Sequence, residues 1–174
     1  MLEEGLFRFR DLDQARLLAS FLARACPEPA RTVTGLQELL ANAVEHGNLG
    51  LSYGDKSALL KEGTWDQEIQ RRLDLPEYRG RSAQVRFIRE ADRLSFTLQD
   101  QGAGFDWRGY LDFAPERAFD LHGRGIALAR RMSFDSLEYQ GNGNTVVASV
   151  SLSPAPAGGT TNDLWTGAIS KSDD

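Results

Sequence analysis

The chain is poor in several residue types, and each scarcity closes a class of function. Cys26 is the single cysteine among 174 residues, so no internal disulfide can form and no cysteine-rich metal site exists. There are only two histidines, His46 and His122. Lysine is nearly absent: Lys56, Lys61 and Lys171 stand against 17 arginines. No Gly-Lys pair occurs anywhere, which removes the phosphate-binding P-loop. Basic residues number 20 against 25 acidic ones, a net charge of -5, so the chain has no basic surplus with which to bind nucleic acid. No apolar run nears the roughly 18 to 20 residues that span a bilayer. The opening MLEEGLFRFRD carries acids where a signal peptide carries positive charge. The expectation is a cytoplasmic protein that engages neither nucleic acid nor membrane.

With 41% apolar residues the chain can build one core. Gly5–Arg10 alternates as a strand, and Asp11 or Asp13 can cap a helix with Ala15, Leu18, Ala19, Leu22 and Ala23 on one face. Pro27 and Pro29 break that helix. A second helix is predicted from about Thr32 to His46, with Gly47 placed to end it. Within residues 50–81, Ser52–Glu62 and Thr64–Leu73 read as two short helices, Thr64 capping the second. Ala83–Ile88 and Leu94–Gln99 alternate as a hairpin turning at Glu90–Arg93. Asp100–His122 reads as a long loop, Gly125–Met132 as a short helix, and Leu137–Tyr139 with Thr145–Leu152 as a last hairpin. Residues 153–174, rich in Pro, Gly, Ser and Asp, form a disordered tail in this reading. Helices mostly first and strands mostly later predict an α+β fold, a largely antiparallel sheet with helices on one face.

Four features carry chemistry. On the helix TVTGLQELLANAVEH, a spacing of about 100° per residue sets Glu38, Asn42, Glu45 and His46 on one stripe. The plain reading is a solvated face. The sharper one makes Asn42 a neutral oxygen ligand for Mg²⁺ and Glu38 a general base. Next, Asp100-Gln101-Gly102-Ala103-Gly104-Phe105 follows a strand, but Trp107 stands where a dinucleotide fold needs its third glycine. Either Asp100 stabilises a glycine turn, or it accepts a hydrogen bond from an exocyclic amine such as that of adenine. Third, His122-Gly123-Arg124-Gly125 precedes a helix with Leu128 core-directed. This is a plain helix start, or backbone N–H groups with Arg124 set to hold phosphate. Trp107, Tyr110 and Phe113 lie between these two features, on a segment long enough to form a lid. Last, Gly143-Asn144-Thr145 is a hairpin turn in which Thr145 can also touch a base.

The order of these features resembles the GHKL superfamily of histidine-kinase-like ATPases. The pattern is Glu38-xxx-Asn42 on a helix, DxGxGF after a strand, GRGIAL opening a helix and GNTV on a strand. The likeness spans about residues 5–152. It implies a two-layer α/β sandwich of the Bergerat type, with a mostly antiparallel mixed sheet and ATP bound beneath a lid. Within the superfamily the chain is most similar to bacterial anti-sigma-factor serine kinases. That likeness implies Glu38 as base for a serine or threonine hydroxyl, Asn42 on Mg²⁺, and Asp100, Gly104 and Thr145 reading adenine beside Gly102 and Phe105. Gly123, Arg124, Gly125 and Leu128 would line the triphosphate, with His46 and Asn48 in support. The implied partner is an anti-sigma-factor antagonist of the STAS type, then a sigma factor, and such kinases form homodimers. Residues 50–81 depart from the pattern as a helical insertion. It resembles one found in ATPase domains that work with response regulators; it caps the sheet edge, extends the nucleotide lid, forms a partner surface, or, in the plain reading, is a satellite packed by Trp65, Leu59 and Leu60. Two alternatives stay open: a module that binds ATP or ADP and sequesters a partner without phosphorylating it, and a histidine-kinase-type catalytic domain acting in trans.

Overall fold

A computed structural model of the chain describes residues 2–107 and 129–152. Five strands form one sheet: β1 (Glu4–Phe9), β2 (Ala83–Arg89), β3 (Arg93–Gln99), β4 (Ser136–Gln140) and β5 (Thr145–Ser151), in the order β1-β2-β3-β5-β4. Every neighbouring pair is antiparallel. The period-two alternation in each strand decides which face is dry. Phe9, Val85, Phe87, Phe96, Leu98, Val146 and Ala148 point inward and are buried. The opposite face carries Arg86 paired with Glu4, Gln84 bonded to Gln99, and Ser136 bonded to Ser149.

Helices cover the apolar face. In α1 (Leu12–Ala23), the Asp11 side chain caps by accepting from the Gln14 N–H at 2.8 Å. Ala15, Ala19 and Leu22 are buried. The next helix, α2 (Pro29–Asn42), begins three residues earlier than the sequence predicts. Pro29 sits in its first turn, where a missing N–H costs nothing because that group has no helical partner anyway. Together with β1–β5 these helices make the expected two-layer α+β sandwich, and all described strand pairings are antiparallel.

The segment 43–48 departs from the predicted helix. Ala43–Asn48 is π-helical, with the Leu49 N–H reaching Val44 O at 2.9 Å. One extra residue in the turn rotates the residues after it off the 100° track. Glu45, expected on the polar stripe with Glu38 and Asn42, is therefore turned inward, its side chain only 5% exposed. Gly47 does not end the helix. It keeps negative φ, and the left-handed residue beyond the turn is Gly50, at φ 62°.

Residues 50–81 fold back along this turn as α3 (Tyr53–Glu62) and α4 (Trp65–Asp74). Ser52 and Asp55 close a reciprocal capping box on α3. Thr64 sits at the cap position of α4, but its hydroxyl makes no capping bond and is buried without a partner. Trp65, Ile69 and Leu73 are buried at the predicted spacing, whereas Leu60, expected to pack with them, is 45% exposed. Side chains of the segment reach back to the π-turn: Arg72 Nη1 donates to Leu49 O at 2.7 Å, Arg81 Nη1 to Asn48 O at 2.9 Å, and Lys56 Nζ to Glu45 Oε2 at 2.5 Å. The ammonium of Lys56 also lies over the Trp65 ring, 5.2 Å from its centroid. Of the predicted helix over Gly125–Met132, residues 125–128 lie outside the described residues, and Ala129–Ser133 is π-helical.

The Lys56–Glu45 pair sets a stability expectation. Burial pushes the Glu45 carboxyl above its ordinary value, while Lys56 pulls it down. Removing the ammonium leaves a buried carboxylate alone, at a cost of about 3 kcal/mol. Lys56→Met should therefore destabilise the fold by about that amount at pH 8. A raised carboxyl pKa makes stability fall as pH rises through it, so the deficit should shrink toward pH 4, where the carboxyl is protonated. Denaturant unfolding at the two pH values measures this, and a pH-independent deficit would exclude the ion pair as its cause.

Candidate functional site

Between the helical layer and the ends of β3 and β5 lies a cavity of about 790 Å³, within the size range of small-molecule sites. Four stretches of chain build it. The end of α2 and its π-turn contribute Asn42, Ala43, His46 and Gly47. The end of β3 and the loop after it bring Asp100, Gly104 and Phe105. Tyr139, Gly143 and Val146 come from the last hairpin, and the 50–81 segment adds Ser52, Tyr53, Tyr78 and Arg81.

Asp100 is held from three sides. Its backbone N–H bonds to Asn144 O at 3.0 Å, and its Oδ1 accepts the Gly102 N–H at 2.7 Å. Against its carboxyl lies Gly47, where a Cβ would stand only 2.3 Å from Asp100 Cγ. A Cβ at Gly102 would in turn sit 2.3 Å from Gly47 O. The π-turn and the post-strand loop thus clasp through two positions that lack side chains. Burial raises the Asp100 carboxyl to about 6, with the Gly102 N–H and then the charge of Arg81 holding it down. Asn48 braces the same loop: it is buried, and its Oδ1 accepts from the Gln101 N–H at 2.9 Å.

The far wall is stitched to the last hairpin. Phe105 N–H bonds to Asn142 O at 2.9 Å, and the Asn142 amide donates to Ala103 O at 3.0 Å. Gly104, at φ 79°, permits that approach, since a Cβ there would meet Asn142 O at 2.2 Å. The Phe105 ring meets Tyr139 edge-on at 5.3 Å, and Trp107 stacks on Tyr139 at 6.1 Å.

On α2, Asn42 and Glu38 are one turn apart, and the Asn42 amide N–H₂ donates to Glu38 Oε1 at 3.4 Å. That bond leaves the amide oxygen of Asn42 available. Asn42 lines the cavity and Glu38, half-buried, stands beside it without lining it. The His46 ring lies tilted by 40° against Tyr53, centroids 4.1 Å apart, and its Nδ1 donates to Leu51 O at 2.5 Å. Desolvation lowers its pKa, so the ring is neutral at pH 7. Its Nε2 is buried with no hydrogen-bond partner.

Thr145 differs from its expected place. Its hydroxyl donates to Asn144 Oδ1 at 3.3 Å, and the cavity wall at this point is Val146, the next residue along the strand. The strand alternation sets the two on opposite faces. His122, Gly123, Arg124, Gly125 and Leu128 lie outside the described residues. Sequence reasoning passed over Tyr53, Tyr78 and Arg81. Tyr53 opens one of the two predicted helices and Tyr78 and Arg81 follow the other, so only the fold-back reveals that they meet the cavity. It also makes the 50–81 segment a wall of the site rather than a satellite.

A helical layer lies over an antiparallel sheet, with a cavity between the Asn42 turn and an acidic residue at a strand end, and the family match that follows makes this a domain of the ATP-binding, kinase-like class. The model of the histidine kinase-like ATPase domain matches residues 10–150, and the chain belongs to that family. Comparison with curated proteins gives no match. Among the described residues no helix is long and apolar enough to cross a membrane.

Proposed function

We propose that this domain is an ATP-dependent serine/threonine kinase of a bacterial partner switch, phosphorylating an anti-sigma-factor antagonist of the STAS type. The observation that carries the proposal is the Glu38–Asn42 pair: a carboxylate hydrogen-bonded to an amide that itself lines the cavity. In this reading Asp100 accepts the exocyclic amine of adenine, and Gly102, Gly104 and Phe105 shape the loop around the base. The partner's hydroxyl oxygen attacks the γ-phosphorus of ATP. The bond from that phosphorus to the bridging oxygen breaks, ADP departs with the electron pair, and the hydroxyl proton passes to Glu38.

The amide oxygen of Asn42 suits Mg²⁺, a hard cation bound by one or two protein oxygens while substrate phosphates and water supply the rest. Among the described residues no group of three or more His, Cys, Asp or Glu is disposed to hold a metal, in keeping with an ion carried in by the nucleotide. Bound there, Mg²⁺ would neutralise phosphate charge. The sigma factor or a response regulator as further partner, and a homodimer, belong to the same proposal. A second reading, nucleotide-dependent sequestration without transfer, draws on the position of Glu38 beside the cavity rather than in its lining.

Titration with Mg²⁺–ATP followed by incubation with labelled ATP and a STAS protein tests the proposal. Because the Asp100 carboxyl sits at about 6, its acceptor form fills as pH rises. ATP affinity should therefore climb about ten-fold between pH 5 and pH 7 and then level off. The linkage for folding runs the opposite way: a raised carboxyl pKa makes the apo fold lose stability over that window. Asp100→Asn should abolish the isotherm. Label on the STAS protein supports the kinase, and a stable unlabelled complex supports sequestration. A wild-type protein that binds no nucleotide refutes both.

A further inference from the structure

β1 stands at the edge of the sheet, with β2 on one side and, among the described residues, no strand on the other. Just before β1 begins, the Arg89 N–H bonds to Glu3 O at 2.7 Å, so Glu3, Gly5, Phe7 and Phe9 turn their backbone groups toward β2. The direction alternates along a strand, and Glu4, Leu6 and Arg8 therefore present N–H and C=O groups to the open edge. Exposed edges are ordinarily blunted by devices such as proline or lysine, and the β1 sequence EGLFRF contains neither. Instead the edge is apolar on both faces. Leu6, on the face away from the helices, is 59% exposed. On the helical face Phe7 meets Phe21 of α1 edge-on at 5.7 Å, with Phe21 52% exposed and Leu17, one turn earlier, 74% exposed.

We propose that this edge is the interface between two copies of the chain, β1 of each running antiparallel to β1 of the other about a two-fold axis at Leu6. This gives the proposed homodimer its surface. It does not depend on what fills the cavity, since no residue of β1 or α1 lines it.

The charges on the strand select both the occupant and the register. A two-fold axis at Leu6 sets Leu6 against the partner's Leu6, and Glu4 against the partner's Arg8. The backbones of all three residues face the open edge, so each pair can exchange N–H···O bonds as an antiparallel ladder requires. Opposed side chains then share one face of the joined sheet. Among the described residues Arg8 makes no ion pair, and Glu4 uses only its Oε1, which accepts from Arg86 Nε at 3.0 Å and Nη2 at 2.6 Å. Each copy thus brings to the edge an uncommitted cation and a free carboxylate oxygen, one on either side of Leu6. A reversed copy of the same strand meets them with the opposite order of charge. Sliding the register by one two-residue step in either direction sets Leu6 against the partner's Glu4 or against the partner's Arg8 instead.

Sedimentation of the whole chain tests this through two charge reversals, Arg8→Glu and Glu4→Arg. Both positions are exposed, and near-UV circular dichroism verifies that the variants fold. The wild type should be a dimer at micromolar concentration. Each variant alone sets like charges against one another on both sides of the axis and should weaken the dimer by at least about ten-fold. Mixed in equal amounts, the two variants regain opposite charges at both places, and a mixed dimer should form within about three-fold of the wild-type affinity. No folding defect produces that recovery. Leu6→Asp, which sets two carboxylates on the axis, should separate the copies as well. A wild type still monomeric at millimolar concentration overturns the inference, as do variants that dimerise like the wild type or a mixture that fails to recover. The separated variants should bind ATP as the wild type does. If the wild type dimerises through this edge yet binds no nucleotide, the cavity reading is refuted and the interface is supported.

Discussion

Glu38→Ala is expected to lower phosphoryl transfer to a STAS partner by roughly 10²–10⁴-fold, the range for a lost general base, while ATP affinity stays within about two-fold. The separation comes from position. Glu38 does not line the cavity, and it is hydrogen-bonded to the amide of Asn42, which does. A base acts on the incoming hydroxyl, whose proton moves only in the transition state, so its loss appears in turnover and not in binding. The competing role is orientation: Glu38 accepts from the Asn42 side chain and thereby aims the amide oxygen. In that case alanine would free the amide to rotate, and Mg²⁺–ATP affinity would fall together with turnover. Glu38→Gln sharpens the comparison, because the carboxamide oxygen still accepts from Asn42 but takes up no proton. A base predicts that glutamine is as inactive as alanine; an orienting acceptor predicts rescue. Single-turnover transfer and calorimetry on the same preparations distinguish the two outcomes.

How much of the structure the sequence could reveal depends on how local the causes are. The sheet was legible because alternation is a property of each strand by itself. Val146, Ala148 and Val150 are inward and buried, as their spacing requires. From Thr32 to Asn42 helix α2 was legible because its apolar spacing is local too, whereas its first turn at Pro29 was not. Reading failed at the π-turn, where Glu45 turns into the core. A 100° step assumes i to i−4 bonding, and Leu49 bonds to Val44 instead. The partner that makes a buried Glu45 tolerable, Lys56, is eleven residues away on a separate helix. Asp100 and Gly104 could be placed on a loop after a strand, and the structure sets both against the cavity. Arg81 could not be placed there, because its position depends on where α3 and α4 return the chain. Thr145 shows the limit of a motif: the order of residues fits the family, and a one-residue difference in register decides whether the side chain or its neighbour meets the cavity.

Gly47 separates a steric requirement from a conformational one. Read locally, a glycine near the end of a helix is a stop signal, and replacing it with alanine would stabilise the helix interior by up to about 1 kcal/mol. In the structure its φ is not positive, so alanine meets no backbone strain. What alanine meets is Asp100: its Cβ would stand 2.3 Å from Cγ and 2.6 Å and 2.7 Å from the two carboxylate oxygens. Non-bonded carbons rest at about 3.5–4.0 Å. One of the two must therefore give way, and Asp100 is pinned by the Asn144 carbonyl and the Gly102 N–H. Overpacking of this kind costs about 2 kcal/mol, and here the strain falls on the residue proposed to read the base. Gly47→Ala should therefore weaken ATP binding by at least about 30-fold. Gly63→Ala supplies the opposite control. Gly63 sits at φ 71°, where alanine is strained, yet nothing lies within 4 Å of its Cβ position. That variant should lose about 1 kcal/mol of stability and bind ATP as the wild type does. If Gly47→Ala binds normally, the clasp between the π-turn and Asp100 can open at little cost, and the carboxylate is not held where the base reading needs it.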